Sequence, residues 1–314
     1  MLPCRLCVLA LALSIGLTAC GKKEAAPASA GPSAESAPTA RAEGAPQIVT
    51  SADGVHIEYH VYGKGEPAVI LVHGWACDGN YWSAQLAPLK AKYTVVTVDL
   101  AGHGASGSNR SDWSMGNFGE DVAAVARQLQ NARLVLVGHS MGAPVALEAT
   151  PRIGDRVMGI IALDSLKTIG QPPLSEQQIQ ARLKPFRDDF IAHTREFVTG
   201  SFFTPDANPT FVQKVAYDMS LEPANIAIAS MESLSRMDYA QVLPQVHVPV
   251  IAINSDRTPP VDSARIAKSL PGFRAITVEN TGHFLMMEAP DRVNPLLIQE
   301  IDAMAHATEL AGRK

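Results

Sequence analysis

Residues 133–147, Arg-Leu-Val-Leu-Val-Gly-His-Ser-Met-Gly-Ala-Pro-Val-Ala-Leu, decide the fold of this chain. They begin with an apolar, β-branched run, which predicts a short strand buried on both faces, as in a parallel sheet. A turn follows at 138–142, and the Ala- and Leu-rich end predicts a helix with Pro144 in its first turn. Ser140 therefore stands at the apex of a sharp turn between a strand and a helix.

The spacing Gly-x-Ser-x-Gly has a steric reason. A strained turn leaves little room for Cβ atoms two residues before and after the serine, and glycine has none. The hydroxyl then projects at the carboxyl edge of the sheet, where the N-terminal amides of the next helix also point. The motif alone also arises by chance, but between a strand and a helix it resembles the nucleophile elbow of the α/β-hydrolase superfamily.

The rest of the chain repeats the alternation of strand and helix. Apolar runs such as 68–72, 94–98 and 157–163 alternate with helical segments, which predicts an α/β fold with a doubly wound, mostly parallel sheet over residues 46–310. The alternation stops at 165–246, where four helical stretches appear, one of them opened by a capping-box sequence at Ser175. We expect these helices to form a cap inserted between two core strands.

Composition limits the classes of function. The 314 residues carry a formal net charge of −5 and no basic run, so we expect no nucleic-acid partner. The sequence has no Gly-x-Gly-x-x-Gly, no P-loop and no clustered metal-ligand spacing, so we expect no cofactor and no metal. Cys77 is the single cysteine beyond residue 20, and the folded domain is expected to have no internal disulfide.

The N-terminal segment predicts export. Residues 1–19 combine a short charged start with an apolar stretch, and they end in Leu-Thr-Ala before Cys20, which is typical of a secretory signal. This ending resembles the lipobox of bacterial lipoproteins, and the resemblance implies that Cys20 is lipidated and anchors the protein to a membrane. A plain signal peptide is the alternative. Gly21 is not the aspartate of enterobacterial lipoproteins kept in the inner membrane, which favours the outer membrane. Residues 20–45, rich in Ala, Pro, Ser and Gly, predict a disordered tether.

A serine needs a base and an acid to act as a nucleophile. His283 follows the last predicted strand in Asn-Thr-Gly-His-Phe-Leu-Met-Met-Glu-Ala-Pro, which resembles the catalytic-histidine loop of the superfamily. The resemblance places the acid at Asp256, after the strand that follows the cap. Asp164 is the alternative, because some members take the acid from the strand after the elbow. The chain order Ser140, Asp256, His283 is also the order of this fold.

The superfamily also implies an oxyanion hole made of two backbone amides. We expect them to be the N–H of Met141, behind the serine, and the N–H of Trp75, after His73 and Gly74. The stretch 99–106, Asp-Leu-Ala-Gly-His-Gly-Ala-Ser, is a further superfamily hallmark, and His73 and His103 are expected to brace loops. Apolar cap residues such as Phe202 and Met237 could line an acyl pocket, although at helical spacing they are more often core.

These observations predict a serine hydrolase of the carboxylic-ester type that acts on a small-molecule acyl substrate. Hydrolysis of a lactone or of a carbon–carbon bond by the same three residues is an alternative within enzymes. A non-hydrolysing ligand-binding protein on this fold is the alternative from another class.

Overall fold

A computed structural model describes residues 42–257 and 260–312 of the chain. The lipobox and Cys20 lie outside the described residues, as does most of the expected tether. Within the described residues, no helix is both long enough and apolar enough to cross a membrane.

Across the described part of the chain, eight strands form one sheet in the order β1-β2-β4-β3-β5-β6-β7-β8. Neighbouring strands from β4 to β8 pair in parallel, whereas β2 pairs antiparallel with both β1 and β4. The predicted doubly wound, mostly parallel sheet is therefore confirmed. The strands are β1 Pro46–Thr50, β2 His56–Tyr62, β3 Ala68–Val72, β4 Thr94–Val98, β5 Leu134–His139, β6 Val157–Leu163, β7 Val250–Ser255 and β8 Arg274–Val278.

Helices connect the strands and cover the sheet. The helix α2 packs against α3, which contacts β5 and β6, while α1 packs against α11, which also contacts β6. Strands β3 to β7 are buried along their whole length, as their continuous apolar composition requires. The helices are α1 Ser83–Lys90, α2 Met115–Gln128, α3 Gly142–Ile153, α4 Glu176–Asp188, α5 Phe190–Ser201, α6 Pro209–Met219, α7 Ala224–Arg236, α8 Tyr239–Val242, α9 Ser263–Ala267, α10 Leu285–Glu288 and α11 Pro290–Gly312.

The helices α4 to α8 stand between β6 and β7 in the chain, where a cap was expected. Ser175 and Gln178 form the capping box at the start of α4, and Asn208 caps α6. The helix α5 continues through Gly200 to Ser201. A glycine near the end of a helix costs only about 1 kcal/mol, which the rest of the helix can offset.

The ordered domain begins slightly before the predicted boundary at residue 46. The amide of Gly44 donates to the carbonyl of Val61 at 2.9 Å, and the Glu43 carboxylate accepts from the amide of Gly63 at 2.9 Å. Residues 43–45, which were placed in the tether, thus contact the domain.

Candidate active site

Ser140 lies on the expected strained turn between β5 and α3. Its φ angle is 51°, in the left-handed region that non-glycine residues rarely adopt. A Cβ atom on Gly138 would lie 2.3 Å from the carbonyl oxygen of Gly142, and one on Gly142 would lie 2.2 Å from that of Val72. The structure therefore confirms the steric reason for both glycines of the motif.

The imidazole of His283 is held by Asp164. The Nδ1 atom of His283 lies 2.6 Å from Oδ2 of Asp164, the first residue after β6. Oδ1 of the same carboxylate accepts from the amide and the hydroxyl of Ser255, at 3.0 and 2.8 Å, and from Nζ of Lys167 at 2.6 Å. Burial opposes ionisation of this carboxyl, but His283 and Lys167 outweigh burial and hold the pKa of Asp164 well below its ordinary value.

The expected pairing of Asp256 with His283 is wrong in this structure. The carboxylate of Asp256 is exposed, and it accepts from the backbone amides of Asn280 at 2.9 Å and Thr281 at 3.3 Å. These bonds hold the loop that leads to His283. The alternative residue, Asp164, takes the position beside the imidazole because β6 and β7 are neighbouring strands, so that their carboxyl ends present both aspartates at one edge.

The loop around His283 is fixed by groups that the sequence did not single out. The carboxylate of Glu288 accepts from the amides of Gly282 at 2.8 Å and Phe284 at 3.1 Å. The amide of His283 itself donates to the carbonyl of Phe202 at 2.6 Å, at the end of the cap helix α5. The motif spacing gave no signal for Glu288. A carboxylate five residues after a loop histidine is, however, a candidate anchor for that loop.

The ring of His283 reaches the neighbourhood of the elbow. Its centroid lies 4.7 Å from that of His139, the residue before Ser140. Asp164 occupies Nδ1, so Nε2 is the nitrogen left for the serine. Within the described residues, the Ser140 hydroxyl makes no hydrogen bond to this ring, and such bonds commonly tighten only when substrate binds.

Both amides expected for the oxyanion hole lack an acceptor. Within residues 42–257 and 260–312, neither the N–H of Trp75 nor that of Met141 donates a hydrogen bond. The loop of Trp75 lies against Ser140, since a Cβ on Gly74 would stand 3.2 Å from Cβ of Ser140. The indole of Trp75 points to the cap and donates from Nε1 to the carbonyl of Ala227 at 2.6 Å.

Three further histidines near the site are buried and uncharged. Nδ1 of His73 lies 2.8 Å from the carbonyl oxygen of Gly74, and Nε2 accepts from the amide of Leu100. The ring thus holds two loops together, as the sequence predicted. Nδ1 of His103 lies 3.0 Å from the carbonyl of Ala101. Burial lowers the pKa of His73 to about 4 and those of His103 and His139 to about 3. These rings are poor candidates for a base that works near neutral pH.

A cavity of about 640 Å³ opens beside Ser140, a size typical of small-molecule sites. Ser140, Asp164, Lys167, Arg182 and Met237 are among its lining residues. Of the apolar cap residues, Met237 lines this cavity. Phe203, Met219 and Met231 of the cap are instead buried among other apolar side chains.

Comparison with known proteins identifies the class. The sequence model of the alpha/beta hydrolase family matches residues 69–296, and the chain belongs to this family. It is 25% identical over 213 residues to 3-oxoadipate enol-lactonase 2 of Acinetobacter baylyi, covering 67% of this chain and 78% of that protein. It is 24% identical over 259 residues to 2-(acetamidomethylene)succinate hydrolase of Mesorhizobium japonicum, covering 79% and 92%.

The fold also matches solved structures. A thermophilic esterase from Thermogutta terrifontis, solved with malate bound, superposes with a TM-score of 0.72 at 23% identity, covering 83% of this chain and 99% of that one. At this identity the likeness is one of fold.

Proposed function

We propose that the protein is a serine hydrolase that cleaves carboxylic esters or lactones through an acyl-enzyme. The observation that carries the proposal is the 2.6 Å hydrogen bond from His283 to Asp164, at the sheet edge where the strained turn presents Ser140. Two relatives support the same class, since one is named an enol-lactonase and the other a hydrolase of a succinate derivative.

Each residue has a role in the proposed reaction. Nε2 of His283 takes the proton of Ser140 as the hydroxyl attacks the acyl carbon, and Asp164 holds the imidazole in the tautomer with the proton on Nδ1. The amides of Trp75 and Met141 donate to the oxygen that gains negative charge. Protonated His283 then gives its proton to the departing alcohol, and water hydrolyses the acyl-enzyme by the same route in reverse.

The first experiment is covalent labelling with a fluorophosphonate, followed by turnover of p-nitrophenyl butyrate and of a simple lactone. The folded protein should be labelled at Ser140. The Ser140→Ala variant should not be labelled, and its kcat should be lower by at least about 10³-fold. Ser269→Ala removes another hydroxyl of the same cavity and should keep the label. A folded protein that is neither labelled nor active would favour the ligand-binding alternative.

We also propose that the mature chain begins at a lipidated Cys20 and is carried on the periplasmic side of a bacterial membrane, with the outer membrane favoured. The support is the Leu-Thr-Ala-Cys ending of the first twenty residues and the residue Gly21. Mass spectrometry of the N-terminal peptide and detergent-phase partitioning test this. The native protein should partition with detergent, and Cys20→Ala should not. Density separation of the two membranes then shows which one carries the protein.

A further inference from the structure

The cavity beside Ser140 contains a cation without a counter-ion. Arg182 lies on α4 and lines this cavity together with the nucleophile. Within the part of the chain that the structure describes, its guanidinium makes no hydrogen bond and no ion pair. The surrounding protein removes water from the group, which lowers the pKa of Arg182 from its ordinary value. The residue as a whole is nonetheless exposed, and it lines the cavity.

The other charged groups of the described lining have partners. Asp164 is bound by His283, and Nζ of Lys167 lies 2.6 Å from its second oxygen. Asp238 accepts from the amide of Ala240 at 3.0 Å and from the side chain of Gln241 at 3.2 Å. Both oxygens of Asp238 are thus hydrogen-bonded, and Arg182 is the one charged group of the described lining whose side chain has no protein partner.

Neighbouring arginines of the cap, unlike Arg182, form ion pairs with a carboxylate. Arg187, one turn further along α4, donates to Glu232 at 3.0 Å, and Arg236 of α7 donates to the same carboxylate at 2.8 Å. Carboxylates are thus available on the outer face of the cap, yet none of them reaches Arg182. Because the guanidinium of Arg182 lines the cavity without a protein partner, a ligand carboxylate can pair with it without displacing an existing ion pair.

From this arrangement we infer that Arg182 binds a carboxylate of the substrate, so that the protein cleaves esters or lactones carrying a second, anionic group away from the reacting carbonyl. The inference rests on the proposed hydrolase function of Ser140 and specifies the substrate class. A planar guanidinium matches a carboxylate with two parallel hydrogen bonds. A phosphate dianion fits less well, because Lys167, the second cation of the described lining, is already bound to Asp164.

The test compares pairs of esters that differ only in charge. On the acyl side, p-nitrophenyl hydrogen glutarate is paired with its neutral terminal amide. On the alcohol side, para-carboxyphenyl butyrate is paired with para-carbamoylphenyl butyrate. The wild-type protein should prefer the charged member of at least one pair in kcat/KM. Arg182→Gln should lower kcat/KM for that ester by about 10- to 100-fold, the effect of losing a charge-assisted hydrogen bond, and leave its neutral partner nearly unchanged.

Arg187→Gln is the matched control, because it removes an arginine from the same helix without touching the cavity. It should leave both members of each pair unchanged, and thermal unfolding checks that both variants fold. A wild-type protein without preference in either pair overturns the inference, as does Arg182→Gln lowering charged and neutral esters equally. If wild type hydrolyses neither kind of ester and takes no fluorophosphonate, the proposed function has failed as well, whereas labelling and turnover of neutral esters alone refute only the role of Arg182.

Discussion

The two oxygens of Asp164 serve different partners. Oδ2 faces Nδ1 of His283, while Oδ1 is held by Ser255 and by Lys167. The carboxylate is buried, so each of these bonds is stronger than it would be in water. The network fixes the direction in which the imidazole points, and it lets one carboxylate offset positive charge on both His283 and Lys167.

Replacement of the two candidate acids should separate their roles. Asp164→Asn removes the charge and the correct acceptor for Nδ1–H, so kcat should fall by roughly 10³- to 10⁴-fold. Asp256→Asn keeps an oxygen that can accept from one amide of the loop, and it should cost less than about tenfold. Initial rates with p-nitrophenyl butyrate measure both. A large loss in Asp256→Asn with near-normal rates in Asp164→Asn would restore the assignment drawn from the sequence.

The strained turn at Ser140 and the loop position of His283 could be predicted from sequence because their signals are local. Gly138 and Gly142 are demanded by contacts within one turn, and the segment around His283 has its own motif. The choice between Asp164 and Asp256 could not be made in this way, since both follow strands that end at the same edge. It depends on loop geometry, including a φ of 45° at Asp164, which no pattern in one sequence encodes.

At the scale of elements, hydrogen bonds join the cap to the loops that carry Trp75 and His283. The Trp75 indole donates to Ala227 in α7, and the carbonyl of Phe202 accepts from the amide of His283. The ring of Trp75 also meets Phe186 of α4 edge to face, with centroids 5.6 Å apart. The position of the cap in the chain was predictable from the missing strands. Its contacts were not, because they join residues about 80 to 150 positions apart.

Removal of the indole N–H should loosen this attachment. Trp75→Phe keeps an aromatic ring and the backbone amide but leaves the carbonyl of Ala227 without this donor. Hydrogen exchange of amides in α7 should become faster, by roughly fivefold or more if about 1 kcal/mol is lost. Amides of β3, in the core, serve as the internal control and should be unchanged. Equal acceleration in β3 would mean global destabilisation instead.

At the scale of the whole molecule, buried neutral histidines link stability to pH. The pKa of His103 is about 3 in the folded chain and about 6.5 in the unfolded one, so the unfolded chain binds the extra proton first. The free energy of unfolding therefore falls as pH drops from about 6.5 toward 3, by up to about 1.4 kcal/mol per pH unit for this residue. Glu222, whose pKa burial raises to about 7, acts in the opposite direction, so the net slope alone does not isolate His103.

Comparison of the wild-type protein with a His103 variant isolates the contribution of His103 to the pH dependence of stability. His103→Asn keeps a donor near the position of Nδ1 and removes the titrating ring. The variant should be less stable at pH 7, yet its free energy of unfolding should depend less steeply on pH between 6.5 and 4, by about 1 kcal/mol per unit. Urea unfolding at each pH measures this. Parallel curves for wild type and variant would show that His103 does not titrate in this way.

The bond between Phe202 and His283 joins the end of α5 to the loop that carries the imidazole. Any motion that lifts this end of the cap therefore also pulls on the backbone of His283. A conformer with the cap lifted would leave the imidazole misaligned relative to Asp164. Substitutions that reposition α5 on this scaffold would therefore need a new acceptor for the amide of His283 to keep the ring in place.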